Sequence, residues 1–74
     1  MKLPIISGMD VIKRLKKIGF IAVRQRGSHV RLEKNIDGKI IKITIPLHYE
    51  LKKGTLSRII KDAGLTLKEF ERLK

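Results

Sequence analysis

Three features of the 74-residue sequence predict an α+β fold. Apolar residues recur with a helical period near the N-terminus, with a period of two through the middle, and with a helical period again toward the C-terminus. Asp37-Gly38 lies between two alternating runs, where a tight hairpin turn belongs. The predicted order is helix, three antiparallel strands, helix and short helix. This is a two-layer α-β-β-β-α sandwich: a three-stranded antiparallel sheet with helices on one face, plus a short C-terminal helix. Residues 1–74 are expected to form a single domain, because a domain typically takes ~100–200 residues and no second core fits.

The first helix is predicted from about Met9 to Ile18. Val11, Ile12, Leu15 and Ile18 fall on one face, and Lys13, Arg14, Lys16 and Lys17 fill the other. Ser7 is placed to cap its start, with Asp10 in the capping-box position and at the favourable end of the dipole. Gly19 stands where a left-handed C-terminal cap belongs. Phe20 through Arg26 then reads as a strand, broken by Gly27-Ser28. Val30 and Leu32 alternate with Arg31 and Glu33, so a second strand runs from about His29 to Lys34. Asn35-Ile36-Asp37-Gly38 forms the turn. The third strand spans Lys39 to Ile45, with Ile41, Ile43 and Ile45 on one face and Ile40, Lys42 and Thr44 on the other. Pro46 ends it, having no N–H to donate.

Leu47 to Lys53 is expected to be a loop. The second helix carries Leu56, Ile59, Ile60 and Ala63 on one face and closes at Gly64. Thr66-Leu67-Lys68-Glu69 has the capping-box pattern, so a short third helix should run to about Leu73 and bury Phe70. Two longer helices can cover only one face of a three-stranded sheet, which leaves the other open to a ligand. The same order of elements occurs in double-stranded RNA-binding domains, a likeness of fold alone.

Charge narrows the function. Eighteen Lys and Arg against seven Asp and Glu give a formal net charge of +11. Residues 1–26 carry seven basic and one acidic side chain, residues 27–48 four and two, and residues 49–74 seven and four. The excess is spread along the chain, so it is not a basic tail. Self-repulsion on this scale opposes folding and is offset by a polyanionic partner. Nucleic acid is the first candidate, an acidic protein the second and an anionic membrane a distant third. The absence of cysteine excludes disulfides, thiolate zinc sites and cysteine nucleophiles. No apolar run approaches the ~20 residues of a membrane span, and Leu3-Pro4-Ile5-Ile6 is shorter than a signal-peptide core. The expected compartment is the cytoplasm.

The informative stretch is Arg24-Gln25-Arg26-Gly27-Ser28-His29-Val30-Arg31. With Val30 and Leu32 facing the core, His29 and Arg31 share the open face. Arginine meets phosphate with two donors at once, so Arg24, Arg26 and Arg31 suit a nucleic-acid backbone. Gly27 would let a phosphate approach the main chain, and Ser28 would donate to it. RNA carries its own nucleophile, the 2′-OH. Internal transfer to the adjacent phosphate needs a base for that proton, cations for the developing charge and an acid for the leaving oxygen. Histidine, with an unperturbed pKa of ~6.5, suits the base role. A surface histidine at a strand start, with no chemistry, fits the same pattern of residues. His48 either hydrogen-bonds within its loop or, if the loop folds back to the open face, adds a second acid–base group to the RNA-contacting set. Two histidines nineteen residues apart with no cysteine do not make a zinc site. Asp10, Asp37 and Asp62 do not pair as metal-nuclease carboxylates do. Neither a metal nor any other cofactor is expected.

Beyond these residues the chain resembles the HicA family of toxins from prokaryotic toxin–antitoxin pairs, also called YcfA-like proteins. The resemblance runs from about Ile6 to Leu73. It rests on Ser7-Gly8, on Leu15-Lys16-Lys17-Ile18-Gly19-Phe20, on Arg24 through His29, on Pro46-Leu47-His48, and on Gly54-Thr55-Leu56, Ile59-Ile60 and Ala63-Gly64-Leu65. It implies an RNA-cleaving toxin (an mRNA interferase) whose catalytic histidine, in a Gly-Ser-His motif, maps onto His29. It also implies messenger RNA as substrate, cut without a ribosome, and a HicB-like antitoxin that covers the active face. The free toxin is expected to be a monomer. The family often has a basic residue directly after Gly-Thr-Leu, whereas here Ser57 precedes Arg58, and the loop from His48 to Gly54 is slightly short.

Two other readings compete. A module of this fold can bind RNA without chemistry, although it then has no use for a histidine on the open face. Residues Leu56–Ala63 and Leu67–Leu73 could instead form a DNA-binding helix-turn-helix, but Glu69 and Glu71 suit a recognition helix poorly.

Overall fold

The computed structural model describes residues 3–74 and bears out the α+β sandwich. Its elements are α1 (Gly8–Lys16), β1 (Ile21–Arg26), β2 (His29–Ile36), β3 (Lys39–Pro46), α2 (Lys53–Asp62) and α3 (Leu67–Glu71). The sheet is antiparallel in the order β1-β2-β3, with β2 central.

Alternation along β2 and β3 sends Val30, Leu32, Ile43 and Ile45 inward, where all four are buried. They meet Val11, Ile12 and Leu15 of α1, Leu56, Ile59 and Ile60 of α2, and Phe70 of α3. No polar or charged side chain is buried among the described residues. The core is therefore held by apolar burial, at roughly 1.5–3 kcal/mol for each large side chain taken fully from water. Among the described residues no helix lies over the opposite sheet face, as the element count predicts.

Helix α1 starts one residue before the expected position and stops at Lys16, with Ile18 in the following turn. Ser7 caps it by accepting from the Asp10 N–H at 3.1 Å. At α3 the expected capping box is complete: the Thr66 hydroxyl accepts from the Glu69 N–H at 3.1 Å, and the Glu69 carboxylate accepts from the Thr66 N–H at 2.8 Å. Helix α3 ends at Glu71, two residues before the expected Leu73. It turns Phe70 fully inward, beneath the Arg14 guanidinium, which lies 4.8 Å from the ring centroid. A five-residue helix is little more than one turn, and its apolar residue is spent on the core. The helix-turn-helix reading therefore has no free recognition helix.

One packing detail positions the open face. The Gly8 N–H donates to the His48 carbonyl at 2.9 Å, and Leu51 N–H donates to the Ile6 carbonyl at 2.9 Å. A Cβ on Gly8 would collide with the Pro46 carbonyl oxygen. The start of α1 thus lies directly against the end of β3, and Ser7-Gly8 is where the backbone permits that approach.

Candidate functional site

Residues that pair directly across antiparallel strands share a face, with Cβ atoms ~4.5–5.5 Å apart. His29 pairs with Arg26 on β1 and with Pro46 on β3. Arg31 pairs with Arg24 and with Thr44. Because Val30 and Leu32 point inward, all of these side chains stand on the open face.

The arrival of Arg24 and Arg26 there depends on an irregularity. Phe20 is buried, so strict alternation along β1 would send Ala22, Arg24 and Arg26 toward the helices. The ladder instead shifts between Ala22 and Arg24: Ala22 pairs with Leu32, and Arg24 pairs with Arg31. Val23 is the extra residue of a β-bulge. The bulge resets the alternation and brings both arginines out beside His29. Nothing in the residue types at these positions marks it. A one-residue surplus of β1 over β2 shows only once the register is known.

Together Arg24, Arg26, His29, Arg31 and Thr44 line a depression of about 160 Å³. That is smaller than the ~300–1,000 Å³ of pockets for whole small molecules and suits a single anionic group. Three guanidinium groups face it, and no carboxylate lines it. Arg24 directly opposite Arg31 is a like-charge pair, which weakens a sheet unless an anion lies between them. Thr44 stands on the face of β3 opposite Ile43 and Ile45, as alternation predicts, and its residue type alone gave it no role. Its signal was the two-residue turn at Asp37-Gly38, which sets the register that puts Thr44 opposite Arg31.

The remaining expected residues stand beside the depression and do not line it. Gly27 and Ser28 form the hairpin turn joining Arg26 to His29. Gly27 has φ +59, and its carbonyl accepts from the Gln25 side-chain amide at 3.1 Å. Leu47 N–H donates to the Ser28 carbonyl at 2.7 Å, which carries the β2–β3 ladder one residue past His29. His48 follows on the loop, exposed, with its carbonyl held by Gly8. Among the described residues no group of three or more His, Cys, Asp or Glu is placed to hold a metal, and no helix is long and apolar enough to cross a membrane.

A search of curated proteins finds no match. A family model for the HicA toxin of bacterial toxin–antitoxin systems matches residues 8–65, from the start of α1 through the end of α2, which includes the whole sheet and every residue of the depression. The chain therefore belongs to the HicA toxin family and is the toxin member of a toxin–antitoxin pair, with an antitoxin as its partner.

Proposed function

We propose that the protein is an endoribonuclease that cuts messenger RNA without a metal ion, with His29 as general base. The observation that carries this reading is the pairing of Arg26 with His29 and of Arg24 with Arg31, which sets three guanidiniums around one imidazole on an exposed face. A phosphodiester seated among the arginines offers its neighbouring 2′-OH to His29. The imidazole takes that proton as the 2′-oxygen attacks phosphorus. The arginines hold the charge that builds on the phosphoryl oxygens. The bond to the 5′-oxygen then breaks, leaving a 2′,3′-cyclic phosphate and a 5′-hydroxyl protonated by water at this open site.

The depression around His29, at about 160 Å³, is too small to enclose a base, which suits a substrate held by its backbone. Gly27, Ser28 and His48 extend the contact surface around the turn and the following loop. The antitoxin, a HicB-like protein, acts by covering the same face, where acidic side chains satisfy the arginines and bury His29. An mRNA substrate places this activity in the cytoplasm.

The test is RNA cleavage by purified protein in EDTA, with wild type beside His29→Ala. The substitution removes an exposed side chain and leaves no cavity, so circular dichroism should be unchanged. Loss of a general acid–base group is expected to slow cleavage by ~10²–10⁴-fold. Equal rates, with contaminating nuclease excluded, would remove His29 from the mechanism.

A further inference from the structure

We propose that the groove between β3 and α2 is a second phosphate site, which takes the RNA strand after it passes from the His29 depression across Thr44. The inference rests on the RNA reading above and extends it to residues that reading does not use.

A cavity of about 330 Å³ lies where the outer edge of β3 meets α2. Lys42, Thr44, Thr55, Arg58 and Asp62 line it, over a floor of Ile43 and Ile59. Thr44 also lines the depression around His29, so the two share a wall. Along β3, Thr44 and Lys42 are on one face about 7 Å apart, two residues of ~3.4 Å rise.

The alternative path is closed. Beyond Arg31 and Arg24 the next row of the open face is Glu33, opposite Ile21 on one side and Lys42 on the other. The Glu33 carboxylate and the exposed Ile21 do not lead a polyanion onward toward β1, and the one cation of the row is Lys42, at the β3 edge. The cationic continuation lies sideways, over the Thr44 hydroxyl to Lys42 and Arg58. Asp62, at the end of α2, marks where that track stops, since its carboxylate repels phosphate.

The same geometry explains the placement of a basic residue at position 58. Ser57 lines a different cavity, on another side of α2, with Leu3, Ile60 and Lys61. A cation at 57 would face away from β3, and at 58 it faces the groove.

The experiment uses full-length protein carrying His29→Ala and RNA methylated at every 2′-oxygen, which removes the nucleophile, so that the strand stays intact whichever residue acts as base. Binding of a single-stranded RNA of roughly 16 nucleotides is followed between about 50 and 200 mM salt. Each phosphate contact contributes ~0.7 to the salt slope, so Lys42→Gln with Arg58→Gln should lower the slope by about 1.4. Across that fourfold salt range the parent then loses about sevenfold more affinity than the double variant. Asp62→Asn should tighten binding more than Glu71→Gln does, a gain that unfolding cannot produce. An unchanged slope in the double variant overturns the proposal. So does an equal drop from Lys53→Gln with Lys61→Gln, which would mean only the general field of the protein. If the double variant loses affinity for an acidic partner protein and none for RNA, the groove is a protein-docking surface and the proposal also fails. The binding arm needs no catalysis. A failure of the His29 reading, with His29→Ala cleaving as fast as wild type, is thereby told apart from a failure of this one.

Discussion

The two hairpins of the sheet have turns of the same length and carry different side chains. Each connects its strands by two residues, Gly27-Ser28 between β1 and β2 and Asp37-Gly38 between β2 and β3. At the second, Asp37 (φ +51) and Gly38 (φ +87) are both left-handed, and the Asn35 side chain accepts from the Gly38 N–H at 2.8 Å. From there the β2–β3 ladder runs in unbroken register, Ile36 with Lys39 to His29 with Pro46. At the first, only Gly27 is left-handed, and the β1–β2 ladder slips a residue at Val23. The regular hairpin presents one lysine beside its turn, at Lys39. The irregular one presents Arg24, Arg26, His29 and Arg31 on a single face. The cationic cluster stands where the pairing is irregular, because the irregularity decides which side chains share a face.

The largest expected effect comes from altering that register. Deleting Val23 removes the unpaired residue and leaves Arg24 opposite Arg31 and Arg26 opposite His29. Deleting Gln25 instead moves one arginine to the helix side of the sheet. RNA cleavage should fall by on the order of 10²-fold or more with Gln25 deleted, since misplacement of about 1 Å already has that effect, and should stay closest to wild type with Val23 deleted. Equal losses in the two deletion variants would break the comparison.

Exchanging the turn glycines sharpens it. A Cβ at Gly27 or at Gly38 meets nothing within 4 Å, so Gly27→Ala and Gly38→Ala lose only the left-handed backbone preference, about 1–2 kcal/mol each. Thermal melts should show similar drops for both, about 4–8 °C per kcal/mol in a domain of this size. Cleavage measured well below the melting temperature should weaken with Gly27→Ala alone. If Gly38→Ala weakens it as much, activity follows stability and not the site.

Charge gives a smaller separation. Arg24→Gln, Arg26→Gln and Arg31→Gln should each lower the salt slope of RNA binding by ~0.7, while Lys39→Gln at the other hairpin leaves it unchanged. An equal effect at Lys39 would assign the affinity to net charge alone.

The smallest effect lies at α3, away from both hairpins. The Thr66 backbone N–H, with the Thr66 side chain and the Arg72 charge adding to it, holds the Glu69 carboxyl below its ordinary 4.5. A carboxyl lowered on folding stabilises above its unfolded value and loses that contribution as pH falls through the folded one. The melting temperature of wild type should therefore decline more than that of Glu69→Gln on acidification below about pH 4.5. Parallel curves would show that the capping box does not contribute through its charge.

Much of this was legible in the residues. Val30 and Leu32 alternate with His29 and Arg31, and a period of two has only two faces to assign, so an exposed His29 followed directly. Asp37-Gly38 marked a turn, and both residues are left-handed there. Thr66 and Glu69 marked a helix start, and both capping bonds are present. These features are local: each depends on residues within four of one another, where side-chain size, hydrogen-bonding capacity and backbone preference act alone.

The bulge at Val23, the wall that Thr44 shares between two cavities, and the different directions of Ser57 and Arg58 could not be read this way. Each depends on where a second element lies. Ala22 pairs with Leu32 and Arg24 with the adjacent Arg31, which leaves Val23 between them without a partner. The sequence by itself determined the elements, the buried set and the histidine's face, because periodicity and turn chemistry act over a few residues. The tertiary structure alone decided that three arginines surround that histidine, because pairing between strands, not residue type, sets which side chains become neighbours.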